Sequence, residues 1–336
     1  MSEKISAFTR KYRLPLLIIG ALIVAVIPVF NKSSYQRGII TKMMIYATYA
    51  TSLNVINGFS GQFTLGHAGF MCVGAYTGAL LMTKLGVSFW IAFLAGGIAA
   101  SVFAILVYFP TRKLSGMFLT LVTMAASEII RLIALNWNSL TNGSKGIKAI
   151  PAPVFFGIKL STKNGGFYYL IFIILIICLF CTSRVLKSRV GRAWIAVREN
   201  PIAASSLGVK TGTYKMLNLM YGAFWAGLVG CFQASYMMFI DPTMYTTTET
   251  FNILSMTVIG GMGTLVGPIV GSVAINIITE VFRSAEQYRM IIYALILIGM
   301  MWIRPQGIAG SSDDSIAGVT PKKKKAVKPV LKEAAK

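Results

Sequence analysis

The chain has 336 residues, 55% of them apolar and only 12% charged, against about 25% charged in a typical soluble domain. A mean hydropathy of +0.69 and repeated apolar runs of membrane-crossing length identify a polytopic membrane protein rather than a water-soluble globule. The net charge of +22 raises nucleic acid as a partner. However, Lys and Arg lie at the ends and in a few loops, and no nucleic-acid-binding motif is present, so that class is excluded.

In chain order, residues 1–13 form a basic segment, with Lys4, Arg10, Lys11 and Arg13, followed by the apolar run "LPLLIIGALIVAVIPVF". The pattern is that of a signal peptide, but no small-x-small cleavage site follows and the next segment is again membrane-like, so it reads as an uncleaved first span. Spans are predicted at 14–30, 38–56, 63–83, 87–109, 114–135, 167–183, 216–240, 251–263, 266–282 and 288–303. Most reach the ~20 residues that cross ~30 Å of hydrocarbon, whereas 251–263 and 288–303 are short. The split of 251–282 rests on "GGMGTLVGP" (260–268), whose Gly and Pro density breaks a single helix. The expected fold is all-α and polytopic, with about ten transmembrane helices, Gly-broken segments and a short cytoplasmic helix. The division is 1–13, a first membrane half 14–183, a cytoplasmic loop 184–215, a second half 216–303 and a tail 304–336.

The stretch "NGFSGQFTLGHAGF" (57–70) contains the only histidine, and from Met43 to Thr83 there is no Asp, Glu, Lys or Arg. Four glycines, Gly58, Gly61, Gly66 and Gly69, argue for broken or closely packed backbone at membrane depth, tolerated only where protein or a water-filled cavity satisfies its polar groups. Two readings stand. Small residues let helices approach, with Ser and Gln as interhelical hydrogen-bonding groups. Alternatively, the break forms a substrate path, where half-helix N-termini face an anionic group and Ser60, Gln62, Thr64 and His67 add neutral hydrogen bonds.

Glu128 and Arg131 lie three residues apart within span 114–135 and so share a helix face. A charge at the bilayer centre is costly, so they form a structural pair or a polar lining of the path. Cys178-x-x-Cys181 resembles half a metal knuckle, but no second pair exists and its flanks are Ile, Leu and Phe. All four cysteines read as small apolar filler, and no metal site is expected.

Residues 184–215 carry Arg184, Lys187, Arg189, Arg192, Arg198, Lys210 and Lys215, the cationic signature of a cytoplasmic loop. With this loop inside, ten spans also place both termini inside. The 136–164 loop then falls outside, despite Lys145, Lys148, Lys159 and Lys163. Within "ENPIAASSLG", Asn200 is a good N-cap, Pro201 suits the first helical position, and Gly208 fits the residue after the helix. Glu199 sits at the positive helix end. The result is a helix of about two turns, too short to stand alone in water. It is either a membrane-surface connector or a docking helix for a cytoplasmic partner.

This loop resembles that of ATP-binding-cassette importer permeases. A closer resemblance, to the LivM-type branched-chain amino acid permease family, is carried by "NGFSGQFTLGHAGFMCVGAY" (57–76), "FLTLVTMAASEIIRLIALNW" (118–137), "LTNGSKGIKAIP" (140–151), "GRAWIAVRENPIAASSLGV" (191–209), "GGMGTLVGPIVGS" (260–272) and "RPQGIAG" (304–310). The resemblance implies a second, LivH-like permease subunit, two ATPase subunits on the cytoplasmic loops and a solute-binding protein outside. It places Glu199, Asn200, Ala203, Ala204 and Gly208 at the positions that couple ATP-driven motion. No phosphate-binding G-x-x-x-x-G-K-[ST] loop is present, so ATP and Mg are expected on the partner subunits and no cofactor in this chain. No Ser-His-Asp arrangement is present, and no catalysis is expected. The expected location is the bacterial inner membrane, with the Lys-rich tail against anionic lipid. An ion-coupled secondary transporter or channel is the alternative in class. Urea, amides or nucleosides are the alternatives in substrate.

Overall fold

The computed structural model describes residues 33–155, 158–161 and 165–282, with positions 295, 298, 299, 302 and 306–309. The basic N-terminal segment, the predicted span 14–30, nearly all of 288–303 and the Lys-rich tail lie outside the described residues.

The described chain is predominantly helical. Helix α1 (Ser34–Asn54) runs without interruption into a π-helical turn, Val55–Phe59. Then follow α2 (His67–Lys84), α3 (Phe89–Thr111), α4 (Met117–Asn136), α5 (Gly166–Lys187), α6 (Arg189–Glu199), α7 (Pro201–Ser206), α8 (Thr211–Met237), α9 (Thr247–Gly260) and α10 (Gly267–Val281). Helices α3, α4 and α5 are each long and apolar enough to cross a membrane. On α3, the residues Ile91, Leu94, Ile98, Val102 and Leu106 recur every three or four positions and are exposed, as are Ile173, Ile176, Ile177 and Phe180 on α5. These apolar outer faces suit hydrocarbon.

Helix α8 is the centre of the bundle. It packs along α2 and α3 on one side and α1 on the other. The approach is close: a methyl group on Gly230 of α8 would stand 2.5 Å from the Met71 carbonyl of α2. Tyr49, Phe70, Met71, Ala226 and Phe232 are buried there. Hydroxyls inside α1 fold back on their own helix, with Thr48 Oγ1 donating to the Met44 carbonyl (2.8 Å) and Thr51 Oγ1 to that of Ala47 (2.7 Å). Such back-bonding lets a polar residue sit in an apolar core. Cys72, Cys178 and Cys231 are buried filler, as the sequence suggests.

Three differences from the sequence reading matter. Residues 61–66, part of the predicted span 63–83, are not helical, and α2 begins only at His67. The 251–282 region does break, with positive φ at Gly261 and Gly263 and Pro268 opening α10. The two pieces are 14 and 15 residues long, or about 21 Å each, shorter than the hydrocarbon they would have to cross. Finally, the polar segment 184–215 is entered from both sides by long helices, and holds an 11-residue helix, α6, that the sequence reading did not identify.

At the bundle end opposite α6, strand β1 (Ile147–Lys148) pairs antiparallel with β4 (Phe239–Ile240), and β2 (Val154–Phe155) pairs with β3 (Ile158–Lys159). Strand β1 and the turn before it wall an open cavity of about 780 Å³ lined by Lys84, Asn142, Lys145 and Lys148, among others.

Candidate functional site

The stretch singled out in the sequence folds into one connected region. The π-turn Val55–Phe59 widens the end of α1, and the chain then turns through Gly61 (φ +68°) into five non-helical residues, 62–66, that lead to α2. A π-turn leaves some carbonyls without their usual helical donors. Here Arg198 of α6 supplies one, with its Nη1 donating to the Gly58 carbonyl at 2.7 Å.

The polar side chains of the stretch are buried and hydrogen-bonded to neighbouring backbone and side chains. Gln62 is 5% exposed. Its Nε2 donates to Ser60 Oγ (3.0 Å), the Lys215 carbonyl (3.0 Å) and Asn218 Oδ1 (3.3 Å). Asn218 Nδ2 in turn donates to the Val55 carbonyl (2.9 Å), so α8 grips both ends of the turn. Asn57 and Thr64 bridge the π-turn and the non-helical segment: Asn57 Oδ1 accepts from the Thr64 amide and hydroxyl, both at 3.2 Å. Gly66 precedes α2 and faces the Thr123 carbonyl of α4, which a methyl there would approach to 2.6 Å. His67 is fully buried, its Nε2 3.0 Å from Ser52 Oγ, with its ring edge-on to Tyr49 and Phe70. The next amide, Ala68 N, donates to Thr250 Oγ1 of α9 (3.0 Å), so the starts of α2 and α9 meet inside the bundle.

Glu128 and Arg131 form the i,i+3 pair expected, Arg131 Nε donating to Glu128 Oε1 at 2.9 Å alongside a second contact from Nη2. Their side chains are 39% and 17% exposed. They stand apart from the 57–67 stretch but on the helix that touches it, since Thr120 Oγ1 donates to the Phe63 carbonyl (2.9 Å) and Thr123 Oγ1 accepts from Leu65 N (3.3 Å). A further acid, absent from the sequence reading, is Glu249 in the first turn of α9. It accepts from Tyr46 Oη of α1 at 2.6 Å and from Asn252 Nδ2 at 3.2 Å, a position where a carboxylate suits the helix end.

The capped helix is as the sequence suggests. Asn200 Oδ1 accepts from the amides of Ile202 (3.0 Å) and Ala203 (3.1 Å), Pro201 occupies the first position, and Gly208 has φ +81°. Glu199 is 65% exposed, with one carboxylate oxygen 3.6 Å from Arg198 Nη2. Ala203 faces outward and Ala204 is buried. Two large apolar side chains, Ile202 (76% exposed) and Leu207 (85%), project from this polar segment with nothing covering them.

Helix α6 joins the two regions. Ser188 caps its start, accepting from Val190 N and Gly191 N. Trp194, 2% exposed, packs with Val55, Phe59 and Leu186 and against Leu265 of the second glycine loop, while its Nε1 donates to the Tyr214 carbonyl (2.9 Å). Asn54, also missed by the sequence reading, ties the two loops together. Its Oδ1 accepts from Gly263 N (2.8 Å) and its Nδ2 donates to the Thr264 carbonyl (2.7 Å). The C-terminal motif closes the same corner: the amides of Ile308 and Ala309 donate to the Ile259 and Gly260 carbonyls (2.8 and 2.9 Å), capping α9. Among the described residues, no group of three His, Cys, Asp or Glu side chains gathers to hold a metal. The arrangement suits transmission and passage, with polar groups at breaks in an apolar bundle.

Residues 36–303 match the family described as the permease component of branched-chain amino acid transport systems. Over 87% of its length the chain is similar to the high-affinity branched-chain amino acid transport system permease protein LivM of Salmonella typhimurium (34% identity) and of Escherichia coli K12 (33%), covering 74% of each. It is also similar, at 24% identity over 79% of its length and 91% of the relative's, to the permease protein LivH of Salmonella typhimurium. No solved structure matches the chain.

Proposed function

The chain belongs to the family of permease components of branched-chain amino acid transport systems, and on that premise we propose that it is the transmembrane permease subunit of an ATP-binding-cassette importer that moves branched-chain amino acids into the cell. Eight of the ten predicted spans fall on described helices, of which α9 and α10 reach only part of the way across, and both termini are assigned to the cytoplasm of a bacterial inner membrane. A LivH-like permease pairs with this chain, two ATPase subunits carry ATP and Mg, and a solute-binding protein delivers from outside.

The observation that carries this reading is the exposed apolar tip of α7. A six-residue helix capped at both ends has too little internal stabilisation to be ordered for its own sake. Exposing Ile202 and Leu207 among cations is unfavourable unless a partner covers them. The cytoplasmic assignment follows the cation count around them. The solute path is assigned to Gly58, Ser60, Gly61, Gln62, Thr64, Gly66 and His67, with Glu128 and Arg131 further along. The 39% exposure of Glu128, paired with Arg131 on a predominantly apolar helix, supports this, because ionised groups at that depth belong against protein or water.

The test is capture and drive. The wild-type chain, co-expressed with its partners, should co-purify with an ATPase and support ATP-dependent leucine uptake in vesicles. Ile202→Asp, at an exposed position, should leave the permease folded and abolish ATPase capture. Uptake driven by an ion gradient without ATP would instead establish a secondary transporter.

A further inference from the structure

We propose that Arg198 is the positioning residue through which movement of the α6–α7 unit reaches the membrane helices, an inference that rests on the importer reading above. Arginine at a membrane surface ordinarily turns its guanidinium to water or to lipid phosphate. Arg198 turns inward. Its side chain is 33% exposed, and its Nη1 donates to the Gly58 carbonyl at 2.7 Å. Glu199, 3.6 Å away and mostly exposed, does not hold it in place.

Two glycines face Arg198. A methyl on Gly61 would stand 2.9 Å from Arg198 Cγ, and one on Gly263 would stand 3.0 Å from Nη1. Both glycines have positive φ, so each is required by backbone geometry as well as by space. One side chain therefore bears on the π-turn that ends α1, the start of the non-helical segment that leads to α2, and the loop between α9 and α10. Asn54 locks the first and third of these together from behind. Trp194, one turn earlier on the same face of α6, seats the helix on Val55 and Phe59.

The opposite end of this chain of contacts is α7. Arg198 and the Asn200 cap are two residues apart, and Asn200 N still donates to the Ala196 carbonyl of α6 (3.1 Å), so the two helices share a hydrogen-bonded joint. Displacing α7 displaces the guanidinium. The two glycine loops then follow together, because both bear on the one Arg198 side chain, whose stem is packed against Gly61 and whose Nη1 is bonded to the Gly58 carbonyl. Lysine would not reproduce this arrangement: an ammonium is a compact point charge, whereas the planar fork holds the Gly58 carbonyl through the same Nη1 that faces Gly263.

The test uses the full complex with both permeases, the ATPases and the binding protein in proteoliposomes, measuring labelled leucine imported per ATP hydrolysed together with the melting temperature of the complex. Arg198→Ala should retain ATPase capture and hydrolysis while the import-to-hydrolysis ratio falls at least tenfold. Arg198→Lys, which keeps the aliphatic stem against Gly61, should give an intermediate ratio at unchanged melting temperature. A wild-type ratio in Arg198→Ala overturns the proposal, as does loss of ATPase capture, which would make Arg198 a docking residue. If Arg198→Ala does not assemble, a wild-type ratio in Arg198→Lys overturns it. A wild-type complex that imports without hydrolysis would overturn the importer reading itself, a separate outcome.

Discussion

Replacing Gly58 with alanine adds one methyl group at the tightest point of the junction. Built on the observed backbone, that methyl stands 2.5 Å from the Gly263 amide nitrogen and also overlaps Asn54 Oδ1. Non-bonded atoms settle at 3.5–4.0 Å, so the two loops must part by roughly an ångström. Parting them stretches the 2.8 Å bond from Gly263 N to Asn54 Oδ1 and the 2.7 Å bond from Asn54 to Thr264. A buried donor left unmatched costs about 1–3 kcal/mol and forced overpacking a similar amount, so allowing for overlap we expect about 2–4 kcal/mol of destabilisation. Denaturant unfolding of the purified permease in detergent measures this. Gly38→Ala is the control: it lies inside α1, its nearest atom is Tyr236 Oη at an ordinary 3.7 Å, and helix propensity alone predicts a gain of up to about 1 kcal/mol. If Gly58→Ala unfolds with wild-type stability, the backbone contact between the loops is not as described.

Neutralising one member of the Glu128–Arg131 pair strands the other within an apolar helix, at a cost of up to about 2.5–3.5 kcal/mol on insertion scales. The amount of folded permease in membranes should therefore fall for Glu128→Gln and for Arg131→Gln and recover in the double variant; a double variant no better than either single would show that the pair is not what holds these charges. Gln62→Ala removes the donor shared by Ser60, Lys215 and Asn218, an expected loss of about 1–3 kcal/mol. For Gln62→Ala and His67→Ala alike, uptake per assembled complex should fall further than assembly does, and wild-type uptake by both would end their assignment to the solute path.

Much of this was legible in the sequence because the signals are local. Asn200, Pro201 and Gly208 each satisfy a requirement set within four residues, and the helix they bound lies where they place it. The break at 260–268 needed only glycine and proline density. What escaped notice is either amphipathic or non-local. Helix α6 carries Arg189, Arg192 and Arg198 on a short segment, so its cations dominate and conceal the buried face of Ala193, Trp194 and Val197. The non-helical residues 61–66 contain no charge, so hydropathy alone runs the following helix backward to residue 63. Asn54 sits in the last turn of a predicted span with nothing local to mark it, since its partners are more than two hundred residues away. The pairing of β1 with β4 was invisible for the same reason: two-residue strands carry no periodicity.

The meeting of Gly58 with Gly263 is main chain against main chain, and this has a consequence for how such a transporter diversifies. Substitution at neither position can refine the contact, because a methyl on Gly58 would overlap Gly263 and Asn54, while Gly263 holds a φ of +78° that side-chain-bearing residues rarely adopt. Relatives can adjust its stiffness only through the residues around it, Asn54 from one side and Arg198 from the other. Natural variation in how tightly transport is tied to its motor should therefore be inherited at those flanking positions, while the two glycines stay the same.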